Sequence, residues 1–159
     1  SLAGEFSLST STLITGIEGY MGNRPGNLTL SIYSDGGDTP GSRLHSATFD
    51  AVDGYAWQGI NTLDWLLSAG TYWVVFEVLG TQTFSGGMLG GAPNPMQQEA
   101  SKNPFSNNNQ WENATPYGGL GLGVRISGDT PQVPEPTSLA LLGLGALGMM
   151  AQRRRRLSA

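Results

Sequence analysis

Along residues 1–128, apolar and polar positions alternate mostly with a period of two. Leu28, Leu30 and Ile32 alternate with Thr29, Ser31 and Tyr33, which predicts a strand with one face buried and the other in water. Leu120, Leu122, Val124 and Ile126 alternate with Gly121, Gly123, Arg125 and Ser127, the most regular pattern in the chain. Residues 72–78 are apolar on both faces until Glu77, as a central strand requires. Shorter strand patterns run over Leu13–Tyr20, Leu44–Phe49, Tyr55–Ile60 and Leu63–Leu67. Turn formers separate them: Asn23-Arg24-Pro25-Gly26, Asp35-Gly36-Gly37-Asp38, Pro40-Gly41 and Asp53-Gly54. Seven or eight short strands at that spacing predict an all-β fold, an antiparallel β-sandwich of jelly-roll type, with a closed barrel as the alternative. Residues 85–118 are a long polar run of Gly, Asn, Pro, Ser and Gln. That run reads as a long loop, in which Met88, Leu89, Phe105 and Trp111 could pin it to the sandwich.

The period changes near the C-terminus. Thr137 to Gln152 is sixteen residues without a charge, followed by Arg153, Arg154, Arg155 and Arg156. As a helix the run would be about 24 Å long, somewhat short of a hydrocarbon core of roughly 30 Å. A core helix keeps a polar stripe, and this segment is apolar all round. The pattern predicts one C-terminal transmembrane helix at 137–152 with a basic cytoplasmic tail at 153–159. Because positive charge stays cytoplasmic, residues 1–128 are expected beyond the membrane on a Pro-rich stalk at 129–136. The chain opens Ser1-Leu2-Ala3-Gly4, so an export leader is expected to have been removed or to lie upstream.

Val133-Pro134-Glu135-Pro136, a short apolar helix and Arg153–Arg156 together resemble the PEP-CTERM sorting signal of Gram-negative bacteria. The resemblance implies insertion in the inner membrane, processing near Pro134-Glu135-Pro136 by an exosortase, and display at the cell surface. It also implies a link to biofilm or exopolysaccharide. Two prolines hold that motif extended, as a processing site needs. Tyr33-Ser34-Asp35-Gly36-Gly37, Pro40-Gly41, Leu44 and residues 67–73 resemble the choice-of-anchor β-sandwich domains of the R type, which bears on fold alone.

Charge and composition narrow the chemistry. Residues 1–132 carry four basic and eleven acidic side chains, a net charge of −7. Such a domain is repelled by phosphate backbones, so nucleic acid is not an expected partner. Cysteine is absent, which removes disulfides, thiolate metal sites and cysteine nucleophiles.

His45 is the single histidine, and no Gly-x-Ser-x-Gly elbow accompanies it, so a structural role is expected. Asp35 and Asp38 offer hard oxygen ligands on one loop, a weak calcium candidate, although Asp beside Gly ordinarily builds turns. Asp50 and Asp53 form a second local carboxylate pair, read as residues that start and close a turn. Tyr55, Trp57 and Trp111 stand in turn-rich surroundings and are the candidates for stacking on sugar rings; Trp65 and Trp73 are expected in the core. Asn27-Leu28-Thr29 and Asn113-Ala114-Thr115 match the N-glycosylation pattern and are read as chance matches. The expected function is a non-catalytic surface or matrix component. A carbohydrate-binding module holding extracellular polysaccharide is the alternative, and a small hydrolase with two carboxylates across a cleft comes third.

Overall fold

The computed structural model describes residues 1–90, 92–103 and 109–130. Among them are eleven strands: β1 (Leu2–Leu8), β2 (Thr12–Arg24), β3 (Gly26–Asp35), β4 (Pro40–Ala51), β5 (Ala56–Ile60), β6 (Trp65–Leu67), β7 (Gly70–Glu77), β8 (Ser85–Met88), β9 (Glu99–Lys102), β10 (Trp111–Asn113) and β11 (Val124–Asp129). A 3-10 turn at Thr115–Tyr117 is the one helical element among the described residues. All pairings between strands are antiparallel.

The strands form two sheets. One has six strands in the order β10-β9-β1-β7-β3-β4; the other runs β11-β2-β5, with β6 and β8 also paired to β2. Their facing sides share one core. Phe6, Leu28, Leu30, Ile32, Val74 and Phe76 come from the six-stranded sheet, and Ile14, Ile17, Met21, Leu67 and Val124 from the other. The architecture is thus a sandwich of antiparallel sheets, as the alternation predicts. On β3 and β7 the core side chains sit two residues apart because successive Cβ atoms point to opposite faces; on β2 an irregularity in the pairing with β11 puts Ile14 and Ile17 three apart.

Turn chemistry is as the sequence implies at two hairpins. Gly37 has φ 92° between β3 and β4, and the Asp35 carboxylate accepts its amide at 2.9 Å. Gly54, with φ 82°, turns β4 into β5. There the buried Gln58 accepts from the Val52 amide at 2.6 Å and donates to the Met21 carbonyl at 3.0 Å, tying the turn to β2. Pro40-Gly41, expected as a turn, instead begins β4.

Four differences from the sequence reading have physical causes. First, β1 was not anticipated, although Leu2, Phe6 and Leu8 alternate with Ala3, Glu5 and Ser7; it lies inside the six-stranded sheet between β9 and β7. Second, β3 is buried on both faces: Ser31 is fully buried and Thr29 nearly so. The outer face of the sheet has its own small apolar cluster of Ala3, Trp73, Val75 and Ala100, against which Tyr33 and Trp111 pack. Third, residues 85–118, expected as one long loop, carry β8, β9, β10 and the 3-10 turn. Met88 and Trp111 do pin this segment to the two clusters; Phe105 lies outside the described residues.

Fourth, β11 starts only at Val124, not at Leu120. The Glu99 carboxylate takes the consecutive amides of Leu120, Gly121 and Leu122, the last two at 2.8 Å each. Gly121 adopts φ 64°, so this stretch wraps the carboxylate and cannot be an extended strand.

No helix among the described residues is long and apolar enough to cross a membrane. The stalk from residue 131, the Pro-Glu-Pro motif, the helix expected at 137–152 and Arg153–Arg156 lie outside the described residues.

Candidate functional site

β4 is an edge of the six-stranded sheet, and β5 and β6 form an edge of the other. Between these two edges lies an open cleft of about 530 Å³. Its floor follows from strand periodicity. Ala47 and Phe49 point inward from β4, and Ile60 and Leu63 from the opposite edge, all partly or fully buried against the core. The residues between them face water: Thr48, Asn61, Thr62 and Asp64 form an exposed polar rim. Trp65 lines the same cleft, half-buried, and its ring stacks on that of His45 at 5.4 Å with 16° between planes. His45 belongs to β4 and Trp65 to β6, so the stack joins the two sheets beside the cleft mouth. Asn61 Nδ2 also reaches Glu18 Oε1 at 3.4 Å.

A second concentration of chemistry lies on the outer face of the six-stranded sheet. Glu77 is 1% exposed there. Its carboxylate accepts from Ser31 Oγ at 2.9 Å and Tyr33 Oη at 3.2 Å, and Arg43 stands 3.8 Å away. Burial first, then the negative charge of Glu77, pushes the Tyr33 phenol above its ordinary range. Trp73 donates its indole N–H to Asp35 at 3.2 Å. The Tyr33 and Trp111 rings meet edge-on at 6.4 Å although three strands separate β3 from β10. Four strand spacings in a flat sheet would be roughly 19 Å. The sheet therefore curls toward its outer side, with Tyr33 and Trp111 against Trp73. Glu5 shares this face, and burial is the main cause that raises its carboxyl above the ordinary value.

Of the aromatic residues singled out in the sequence, Trp111 lies on a different sheet from Trp57 and the adjoining Tyr55. Trp111 belongs to the six-stranded sheet, where Lys102 Nζ lies 5.0 Å from its ring centre. Trp57 lies on the other sheet, with the Arg125 guanidinium 3.8 Å from its ring centre and Tyr20 5.5 Å away. Tyr55, 53% exposed, precedes Trp57 in the turn before β5. Trp73 is fully buried as expected, whereas Trp65, also expected in the core, is at the cleft.

Asp35 serves its turn and Trp73, and Asp38 is exposed. No group of three or more His, Cys, Asp or Glu side chains stands together among the described residues. Sequence reasoning did not single out the cleft rim. Its one signal was the polar pair Asn61-Thr62 between two strand patterns, followed by Asp64 and Trp65 in the second, and its other wall comes from β4, a dozen residues earlier.

No curated protein and no solved structure matches the chain. Residues 132–156 match the family model described as the PEP-CTERM protein-sorting motif. That match identifies the chain as one carrying a PEP-CTERM sorting signal, the mark of an exported, surface-sorted protein that an exosortase-type enzyme processes.

Proposed function

We propose that the sandwich is a non-catalytic structural component of an extracellular polysaccharide matrix, delivered there by its sorting signal. The observation that carries this reading is the sorting motif at residues 132–156 joined to an all-β domain. The state of the buried carboxylates supports a structural role. Glu99 is held by main-chain amides, and Glu77 by Ser31 and Tyr33. Every buried side-chain polar atom among the described residues has a hydrogen-bond partner. Groups committed to internal partners are poor acids, bases or nucleophiles, because each would have to break its bonds before reacting. Delivery would run through the inner membrane, with the apolar segment at 137–152 as a temporary anchor.

Substituting Ala for Pro134, Glu135 and Pro136 together tests this. The variant should keep its full mass and stay in the inner-membrane fraction, while the parent is shortened and found in the matrix. A variant that is still shortened and still reaches the matrix would remove the basis of the proposal.

A further inference from the structure

We propose that the cleft between β4 and the β5–β6 edge binds a neutral polysaccharide chain. This rests on the reading that the domain works in a polysaccharide matrix, and it names the surface by which it would hold that matrix. A pyranose ring has two kinds of surface, apolar C–H faces and a girdle of hydroxyls. The cleft offers the complement to both. Phe49, Ile60 and Leu63 supply an apolar floor, and Thr48, Asn61, Thr62 and Asp64 supply donors and acceptors along the rim. A volume of about 530 Å³ is within the usual range for ligand sites and admits a short run of sugar units.

Trp65 is the aromatic anchor. Its stack on His45 fixes the ring before any ligand arrives, so little side-chain freedom is lost on binding. The cleft opens between two sheet edges, which suits internal units of a long chain better than a chain end. Charge sets the class of sugar. Asp64 is the charged residue on the cleft wall, no lysine or arginine lines it among the described residues, and residues 1–132 carry −7. An acidic polysaccharide would meet repulsion both at the site and from the domain as a whole.

The test is calorimetric titration of the full chain, held in a zwitterionic detergent without a sugar headgroup. The probes are cellohexaose, laminarihexaose, maltohexaose, a galacturonic acid hexamer and the producing cell's own purified matrix polysaccharide. We expect saturable binding of at least one neutral hexamer. Trp65→Ala should weaken it about tenfold or more, a difference of roughly 1.4 kcal/mol. Asn61→Ala, at an exposed position, should weaken it measurably while leaving the melting temperature unchanged, which separates lost contacts from lost folding. The galacturonate hexamer should bind at least about tenfold more weakly than the neutral one. Binding that survives both Trp65→Ala and Asn61→Ala undiminished overturns the cleft assignment and leaves the matrix reading standing. Preference for the acidic hexamer overturns the assignment of ligand class. Absence of binding to every hexamer and to the matrix polysaccharide overturns the cleft and the matrix reading together.

Discussion

Glu99 shows how one side chain can organise a long irregular segment. Its carboxylate collects three successive main-chain amides from residues 120–122, and Asn94 Nδ2 approaches it at 3.4 Å. Charge-assisted bonds of this kind are about twice as strong as neutral ones. Glu99→Ala should lower unfolding free energy by roughly 1–3 kcal/mol, since it leaves three amides, that of Leu122 buried, without their acceptor. Urea unfolding measures the loss, and hydrogen exchange should localise it to residues 89–99 and 118–124. Glu5 carries the opposite lesson. Burial raises its carboxyl above the ordinary value of 4.5, so the folded state holds a proton that the unfolded chain releases. Stability then falls as pH rises from 4.5 through the raised folded value. Glu5→Gln should flatten that slope and leave the protein more stable than the parent at pH 7, by thermal melts across pH 4–7. Neither role was legible from sequence: the three amides that Glu99 accepts are more than twenty residues away, and Glu5 is buried only because β9 and β7 close on both sides of β1.

At the level of elements, alternation identified where most strands lie but not how many faces they bury. Leu28, Leu30 and Ile32 turned inward as their spacing implies. Small hydroxyl residues such as Ser31 and Thr29 suit either surface, and what meets them comes from far along the chain: Gln82 donates to Thr29 at 2.7 Å, and Ser31 donates to Glu77 at 2.9 Å. β8, β9 and β10 escaped notice for a related reason. Each is three or four residues long, rich in Gly, Ser and Asn, and formed by pairing with a strand distant in sequence. The candidate cleft was equally hidden, since its two walls belong to different sheets. Close packing between elements gives a direct test. A Cβ at Gly59 on β5 would collide with the carbonyl oxygen of Ile17 on β2. Gly59→Val should therefore cost about 1–3 kcal/mol despite the strand preference of valine. A thermal melt equal to the parent would contradict that close approach.

Taken whole, the molecule divides by charge: −7 over residues 1–132, and four consecutive arginines at 153–156. This division was the most legible feature of the chain, because sorting signals are read as linear patterns and need no fold to be recognised. Replacing Arg153–Arg156 with serine should remove the stop to translocation. We expect the variant's full-length chain outside the inner membrane, against a membrane-held precursor for the parent, by fractionation and mass measurement. The sandwich offers no comparable linear pattern for its role, which depends on side chains assembled from several strands.

The position of β1 adds a constraint of time. Residues 2–8 pair with residues 70–76 on one side and 99–101 on the other. As the chain is made, this segment has no partner strand until about seventy residues have followed it, and its second neighbour is complete only after about a hundred. Folds dominated by such distant pairings form slowly. A slow start would suit export of the chain before it folds, because the sandwich cannot close until more than half of the domain has been made.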